Sequence, residues 1–271
     1  MKPRPFDYAR PDTVDEALAL LAEHGDDARV LAGGQTLIAM LNLRVVDPAV
    51  LIDITRIAEL SNIREADGKI EVGAAVTQNR LLAWSSLQQK LPLLAAALPF
   101  VGHFQTRNKG TVCGSIAHAD PTSELPLSLA LLEGEVVLRS TRGTRVLKAA
   151  DFQQGMLATA READELVSAV RFPVHAGGVA FREIARRHGD FAIVAVGALV
   201  EKAGGIRLGV AGMAERPTVR RLDGGHLNDA IEHLAWELEG YDDVHASARM
   251  RRDLLRRLAP VVLEEARACA A

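Results

Sequence analysis

The chain has 271 residues, 48% hydrophobic, 25% charged and 4% aromatic, the make-up of an Ala/Leu/Val-rich globular protein long enough to bury a sizeable core. A formal net charge of −3 gives no electrostatic basis for binding nucleic acid or an acidic membrane surface, and no apolar run approaches the roughly 18 to 20 residues that cross a bilayer. Two cysteines, Cys113 and Cys269, cannot hold an iron–sulfur cluster, which usually takes about four. The N-terminal Met1-Lys2-Pro3-Arg4-Pro5-Phe6 is basic but lacks the apolar core of a signal peptide, so a cytoplasmic protein is expected.

In chain order, residues 13–24 predict a helix. Thr13 is its N-cap, Glu16 follows three residues later, Ala17, Leu18, Leu20 and Leu21 form the apolar side, and Gly25 ends it. Residues 29–32 read as a buried strand, 35–43 as a helix and 50–54 as a second strand, a βαβ-like unit of about 55 residues. A hairpin follows, with arms at 62–64 and 69–73 and Asp67-Gly68 as its turn. Thr77 caps a helix to Trp84, and a second helix over 91–98 opens through Pro92. Residues 101–110 lead, polar and basic, into a stretch rich in small residues.

That stretch, 110–126, carries Gly110, Gly114, Ser115, Ala117 and Ala119 and ends on Pro121 and Pro126; it reads as a loop, with a helix over 126–132 behind it. A hairpin over 135–139 and 145–147, turning at Thr141-Arg142-Gly143, and a strand over 165–172 complete this part. After Pro173 come a strand over 179–184, the apolar run 192–200, the turn Ala203-Gly204-Gly205 and a strand over 206–210. Helices over 227–238 and 246–268 close the chain, the latter with Met250, Leu254, Leu255, Leu258 and Val262 on one stripe. Its Arg249, Arg251, Arg252, Arg256 and Arg257 predict a solvated or partner-facing surface. No repeat, low-complexity tract or heptad array occurs.

Two segments carry the chemistry. Val30-Leu31-Ala32-Gly33-Gly34-Gln35-Thr36-Leu37 runs from a strand through a double glycine into a helix, and Thr111-Val112-Cys113-Gly114-Ser115 lies in the small-residue stretch. Glycine and serine let main-chain N–H groups approach an anion without a side chain between. Each segment alone reads equally as a tight turn with no ligand; two, about 75 residues apart, suit a diphosphate held between them. Walker and G-x-G-x-x-G signatures are lacking, and His118, Asp120 and Glu124 are the nearest approach to metal-ligand spacing. His118 reads as a packed residue, Asp120 and Glu124 as acceptors for ribose hydroxyls or a ring N–H, with helix capping as the alternative for Glu124. Arg182, Arg186 and Arg187 bracket the turn before Phe191 and suit a cofactor's negative side, a partner's carboxylate or plain solvent.

Taken together, Pro5-Phe6-Asp7-Tyr8, AGGQT at 32–36, RNKGTVCGSIAHADPTSELP at 107–126, RRHGDFA at 186–192 and Val210-Ala211-Gly212-Met213-Ala214 resemble the FAD-binding medium subunit of the molybdenum hydroxylases. This is the family of the xanthine dehydrogenase flavin domain and the aerobic carbon monoxide dehydrogenase medium chain. The resemblance covers essentially the whole chain. It implies an α+β fold: a two-subdomain FAD-binding domain of the vanillyl-alcohol-oxidase type (PCMH-like) over 1–173, divided near 56, then a CO-dehydrogenase-flavoprotein-like C-terminal α+β domain over 178–271.

It further implies that residues 30–37 and 111–115 hold the FAD diphosphate, that Val101 lies beside the flavin or adenine and that Leu166 packs against the cofactor. Asp120 and Glu124 would meet polar groups of FAD, and Arg182 would stand near the isoalloxazine. Cys113 occupies a position where the family usually carries glycine, so its side chain is expected to crowd the diphosphate or demand a φ that glycine accepts more easily. No cysteine-bearing insertion for a further cluster is present.

The implied role is electron transfer. A large partner chain with molybdopterin oxidises the substrate, a small partner chain carries two [2Fe–2S] clusters, and electrons pass through FAD to an external acceptor, in an assembly of the type (αβγ)2. No catalytic acid or base and no metal ligand is expected here. Two alternatives remain at this stage: a self-sufficient flavin reductase or oxidase, and an FAD-less scaffold disabled by Cys113.

Overall fold

The computed structural model describes residues 2–270, and its first sheet is parallel. Strand β1 (Asp7–Ala9) pairs with β3 (Val50–Asp53), and β3 with β2 (Ala28–Leu31), in the order β1-β3-β2. Helix α1 (Val14–His24) starts where Thr13 and Glu16 close a reciprocal capping box and stops at Gly25, whose φ is 50°. Helix α2 (Leu37–Leu43) links β2 to β3. Val14, Ala17, Leu18 and Leu21 turn into the core, so the amphipathic stripe of α1 is satisfied by burial.

The second sheet is antiparallel, in the order β4-β5-β10-β6-β7. Its strands are β4 (Ile63–Ala66), β5 (Lys69–Gly73), β6 (Glu135–Ser140), β7 (Gly143–Lys148) and β10 (Leu166–Pro173). Asp67 and Gly68, both at positive φ (52° and 70°), make the β4–β5 turn, the geometry whose twist matches paired strands. Between β5 and β6 lie six helices: α3 (Gln78–Leu82), α4 (Leu87–Lys90), α5 (Pro92–Ala97), α6 (Phe104–Lys109), α7 (Val112–His118) and α8 (Glu124–Leu131). Helix α9 (Ala149–Phe152) and the ribbon β8 (Gln153–Gly155) and β9 (Ala158–Thr159) lead to β10.

The third sheet runs β11 (Gly178–Ile184), β12 (Val194–Val200), β13 (Ile206–Ala211) and β14 (Thr218–Leu222), all antiparallel neighbours. Every residue of β12 is buried. Val194, Val196, Ala198 and Val200 share a core with Leu255, Val262 and Leu263 of α11 (Ala248–Ala270) and Leu234 of α10 (Leu227–Glu237). Ala195 and Leu199 join the larger core under α5 and α8 instead. Burial on both faces explains why 192–200 reads as an unbroken apolar run rather than an alternating one.

Several expectations are corrected. The 110–126 stretch is no loop: α6 ends just before it, α7 occupies its middle and α8 begins at Glu124, with Pro126 inside the first turn, where the missing N–H costs nothing. The short elements β1, β8, β9, β14, α4, α6 and α9 have no counterpart in the sequence reading. On α11 the buried stripe is Leu255, Ala259, Val262, Leu263 and Ala266, while Met250 is 43% exposed. Arg251, expected on the basic outer face, is buried. Its guanidinium donates to the carbonyls of Ile193, Gly212 and Tyr241 and pairs with Asp243 at 2.6 Å. Among the described residues no helix is long and apolar enough to cross a membrane.

Candidate functional site

The first and second sheets and the loop after β11 enclose a cleft of ≈ 710 Å³. Its floor is the meeting of two backbones. A Cβ added to Gly33 would stand 2.2 Å from the Lys109 carbonyl oxygen and 2.6 Å from Gly110 Cα, so the β2–α2 turn touches the α6–α7 turn only because residue 33 has no side chain. Gly34 follows at φ 69°, which places the chain in the left-handed region as it swings into α2. Among the described residues the amides of Gly33, Gly34, Gln35 and Thr36 have no acceptor on the chain. A row of unpaired N–H groups around a hollow is a seat for an anion.

The second turn is fixed from behind. Gln78 N donates to Gly110 O at 2.8 Å, Val112 N donates to Val76 O at 3.1 Å, and Thr77 bridges to Thr111. Thr111 caps α7, its hydroxyl accepting from Gly114 N at 3.0 Å. A Cβ on Gly114 would lie 2.8 Å from that hydroxyl oxygen, so glycine here keeps the cap closed.

Cys113 does not behave as expected. It lies inside α7, outside the positive-φ set, and its buried thiol contacts Val72 O at 3.4 Å on the core side. Burial pushes the thiol well above its ordinary pKa, which makes it an inert packing group. The crowding and the strained φ are both corrected, because a helical N-terminal turn, unlike a glycine loop, tolerates any side chain that points inward.

Val101 and the loop before β12 form one wall. Arg107 holds Val101 and Gly102 by donating to both carbonyls at 2.9 Å. Gly189 packs against them: at φ 85°, a Cβ there would be 2.8 Å from Gly102 O. Phe191 stands beside it, 61% exposed. Leu166 lies on another wall with Arg29 and Arg161. Arg161 donates to the carbonyls of Glu162 and Glu165 at 2.9 Å each, and burial lowers its pKa, with the Arg29 charge adding to the effect.

Asp120 accepts from Thr122 N at 2.9 Å and from the Thr122 hydroxyl, so part of its acceptor capacity closes its own turn. Glu124, first residue of α8, is buried, and its carboxyl is pushed up to about 7 by desolvation and then by the Asp120 charge. It holds a proton part of the time at neutral pH, and in that form it both donates and accepts. Glu183 on β11 is also raised, to about 8, by burial and by the Glu124 charge. Burial lowers the pKa of His118, so the imidazole facing the cleft is neutral at pH 7.

Of the residues singled out from sequence, all but Leu31, Val112, Arg182, Arg186 and Arg187 line this cleft. Leu31 lies against Gly34 within β2, and Val112 is fully buried. Arg182 is corrected: on β11 it alternates to the α11 face, where it ion-pairs with Glu265. Arg186 meets His245 Nδ1 at 3.3 Å instead of the cleft. Sequence reading missed Gln78, Arg29, Arg161, Leu157 and Asp190 among the lining residues. Only Asp190 had a signal, as part of RRHGDFA. Among the described residues no His/Cys/Asp/Glu group could hold a metal ion. Unpaired amides in the first turn with the second turn facing it, a carboxyl protonated part of the time and apolar walls at Val101 and Leu166 fit a ligand with a central diphosphate, hydroxyls and flat rings, as FAD has.

Residues 4–175 match the family described as the FAD binding domain in molybdopterin dehydrogenase. The chain is 36% identical over 283 residues to the 6-hydroxypseudooxynicotine dehydrogenase complex subunit alpha of Paenarthrobacter nicotinovorans, covering 98% of this chain and 96% of that one. To the caffeine dehydrogenase subunit beta of Pseudomonas sp. (strain CBB1) it is 40% identical over 224 residues, 80% of this chain and 76% of the other. In three dimensions it is similar to a chain of carbon monoxide dehydrogenase from Hydrogenophaga pseudoflava, with a TM-score of 0.94 and 32% identity over 100% of both chains.

Proposed function

We infer, because this chain belongs to the family of FAD-binding domains in molybdopterin dehydrogenases, that the cleft holds FAD with its diphosphate between the two glycine turns. The chain is an oxidoreductase component, an FAD-binding medium subunit of a molybdenum hydroxylase complex. The contact of Gly33 with Lys109 and Gly110, beside unpaired amides, carries the assignment of the site. When bound, FAD supplies chemistry that takes up and releases electrons singly or in pairs.

The chain's own residues bind and orient. Amides of residues 33–36 and the turn 111–115 receive the diphosphate; Val101 and Leu166 pack on the rings; Asp120 and Glu124 meet polar groups. Glu124 is protonated part of the time at neutral pH, which lessens the repulsion that a fully ionised carboxylate would bring beside a dianionic ligand. Residues 1–173 form the FAD-binding domain and residues 178–271 the C-terminal domain that walls the cleft at Gly189 and Phe191. Electrons arrive from [2Fe–2S] clusters of a small partner chain, after substrate oxidation on a large molybdopterin chain, and leave to an external acceptor. The assembly is a cytoplasmic (αβγ)2 complex.

The visible absorption spectrum of the purified chain, taken before and after adding FAD and desalting, tests the cofactor assignment. Flavin bands near ~450 nm at about one FAD per chain are expected. A protein that stays colourless after reconstitution, alone and with its partner chains, breaks it.

A further inference from the structure

One polar side chain under the cleft is unexplained by the fold. Gln78, the first residue of α3, is 5% exposed, and its Oε1 is buried with no hydrogen-bond partner in the chain. Buried side-chain oxygens are nearly always paired, because desolvating one without a partner is costly. The backbone that carries Gln78 is held in place. Its backbone N donates to Gly110 O at 2.8 Å, the preceding Thr77 bridges to Thr111, and Thr77 Oγ1 accepts from Arg80 N at 3.2 Å.

The position of the amide is telling. Oε1 would be 3.2 Å from a Cβ on Gly110, and Gly110 is the residue against which Gly33 packs. The carboxamide therefore sits at the join of the two turns and lines the same cleft. A leucine or methionine would fill that volume at no polar cost, so nothing in the packing requires an amide there.

We propose that Gln78 is a cofactor-contacting residue, its carboxamide pairing with a sugar-type hydroxyl of FAD next to the diphosphate. This rests on the reading that the cleft takes FAD. A hydroxyl both donates and accepts, so it satisfies the amide whichever way its oxygen and nitrogen are turned. The amide is unpaired in the empty cleft and paired in the filled one, and it converts that difference into affinity. FAD carries such hydroxyls on either side of its diphosphate, on the ribityl chain and on the adenosine ribose.

The two sources separate by probe. Wild type, Gln78→Leu and Gln78→Met are titrated with FAD and with ADP, which has the ribose and diphosphate but no ribityl chain, and the thermal midpoint of each ligand-free chain is recorded. Both variants are expected to bind FAD roughly tenfold more weakly, with ligand-free midpoints equal to or above wild type, since an unpaired acceptor has been removed. The same loss on ADP assigns the ribose; a loss on FAD alone assigns the ribityl chain. FAD affinity unchanged in either folded variant overturns the proposal, as does a lower ligand-free midpoint in both, which would mean that the amide is already paired inside the protein. A wild-type chain that fails to bind FAD, alone and with its partner chains, removes the reading of the cleft itself.

Discussion

Two pairs of glycines in this chain solve opposite problems. Gly33 and Gly110 meet under the cleft, where an added Cβ strikes main chain at 2.2 Å and 2.6 Å. Gly197 and Gly209 are register partners across β12 and β13, where an added Cβ would meet a leucine methyl at 2.9 Å, Leu131 Cδ2 for one and Leu127 Cδ1 for the other. The first pair brings two backbones together and leaves a hollow above them lined with unpaired amides. The second lets the leucines of α8 sink onto the sheet and leaves nothing. Identical residues thus make a ligand seat or a dry seam according to what stands opposite.

That contrast breaks most easily at Gly33. Main chain on both sides cannot rotate away as a side chain can, so Gly33→Ala must push the two turns apart, an overpacking cost of roughly 3 kcal/mol, or about 100-fold in FAD affinity. Flavin fluorescence titration of the variant would measure it. An affinity within threefold of wild type would mean that the contact between the turns does not shape the site.

How much of this could be read from sequence follows the same division. The βαβ unit was legible because its signals are local: the Thr13–Glu16 box, Gly25, the AGGQT turn and the Asp67-Gly68 hairpin each act within a few residues. The 110–126 stretch reads as a loop because α7 has a single local signal, the Thr111 cap. Gly114, Ser115 and Ala117 give a weak pattern, and the helix is held by the Thr111 cap and by burying Val112, Cys113 and Ile116 against partners distant in sequence. Gln78 and Arg251 fail for one reason. A polar residue near a helix start, or one arginine among five, reads as surface until the chain that covers it is known. Arg182 was misplaced because a motif fixes the strand but alternation fixes the face, and the face belongs to α11.

Helix α8 joins the two regions, with Glu124 in the cleft and Leu127 and Leu131 in the seam, and its pH response sharpens the comparison. Glu124 titrates near 7 in the folded chain against an ordinary 4.5. A carboxyl raised in this way contributes its full stability below the unfolded value and loses it as pH climbs from about 4.5 to about 7, after which the loss is constant. Glu124→Gln has no charge to bury. The ligand-free variant should match wild type near pH 4.5 and exceed it at pH 7.5 by something on the order of 2 kcal/mol, roughly 4 °C in midpoint. A difference between the two midpoints that does not change with pH would show that Glu124 ionises freely and that the cleft is wetter than its walls imply.

The smallest effect belongs to the seam. At Gly197 the obstacle is one methyl at the end of Leu131, with Phe181 and Leu93 at ordinary contact distances of 3.7 Å and 3.8 Å. A rotamer change in Leu131 relieves most of the clash, so Gly197→Ala should cost about 1 kcal/mol or lower the midpoint by roughly 2 °C. Part of that cost is returned, because alanine in a strand gives up less chain entropy on folding than glycine. FAD affinity should stay within twofold, since the strain is absorbed before it reaches Glu124 at the other end of the helix. If affinity falls as far as in Gly33→Ala, α8 transmits displacement rigidly from seam to cleft. The two glycine pairs would then be one mechanical unit, and the site would depend on the third sheet as strongly as on its own turns.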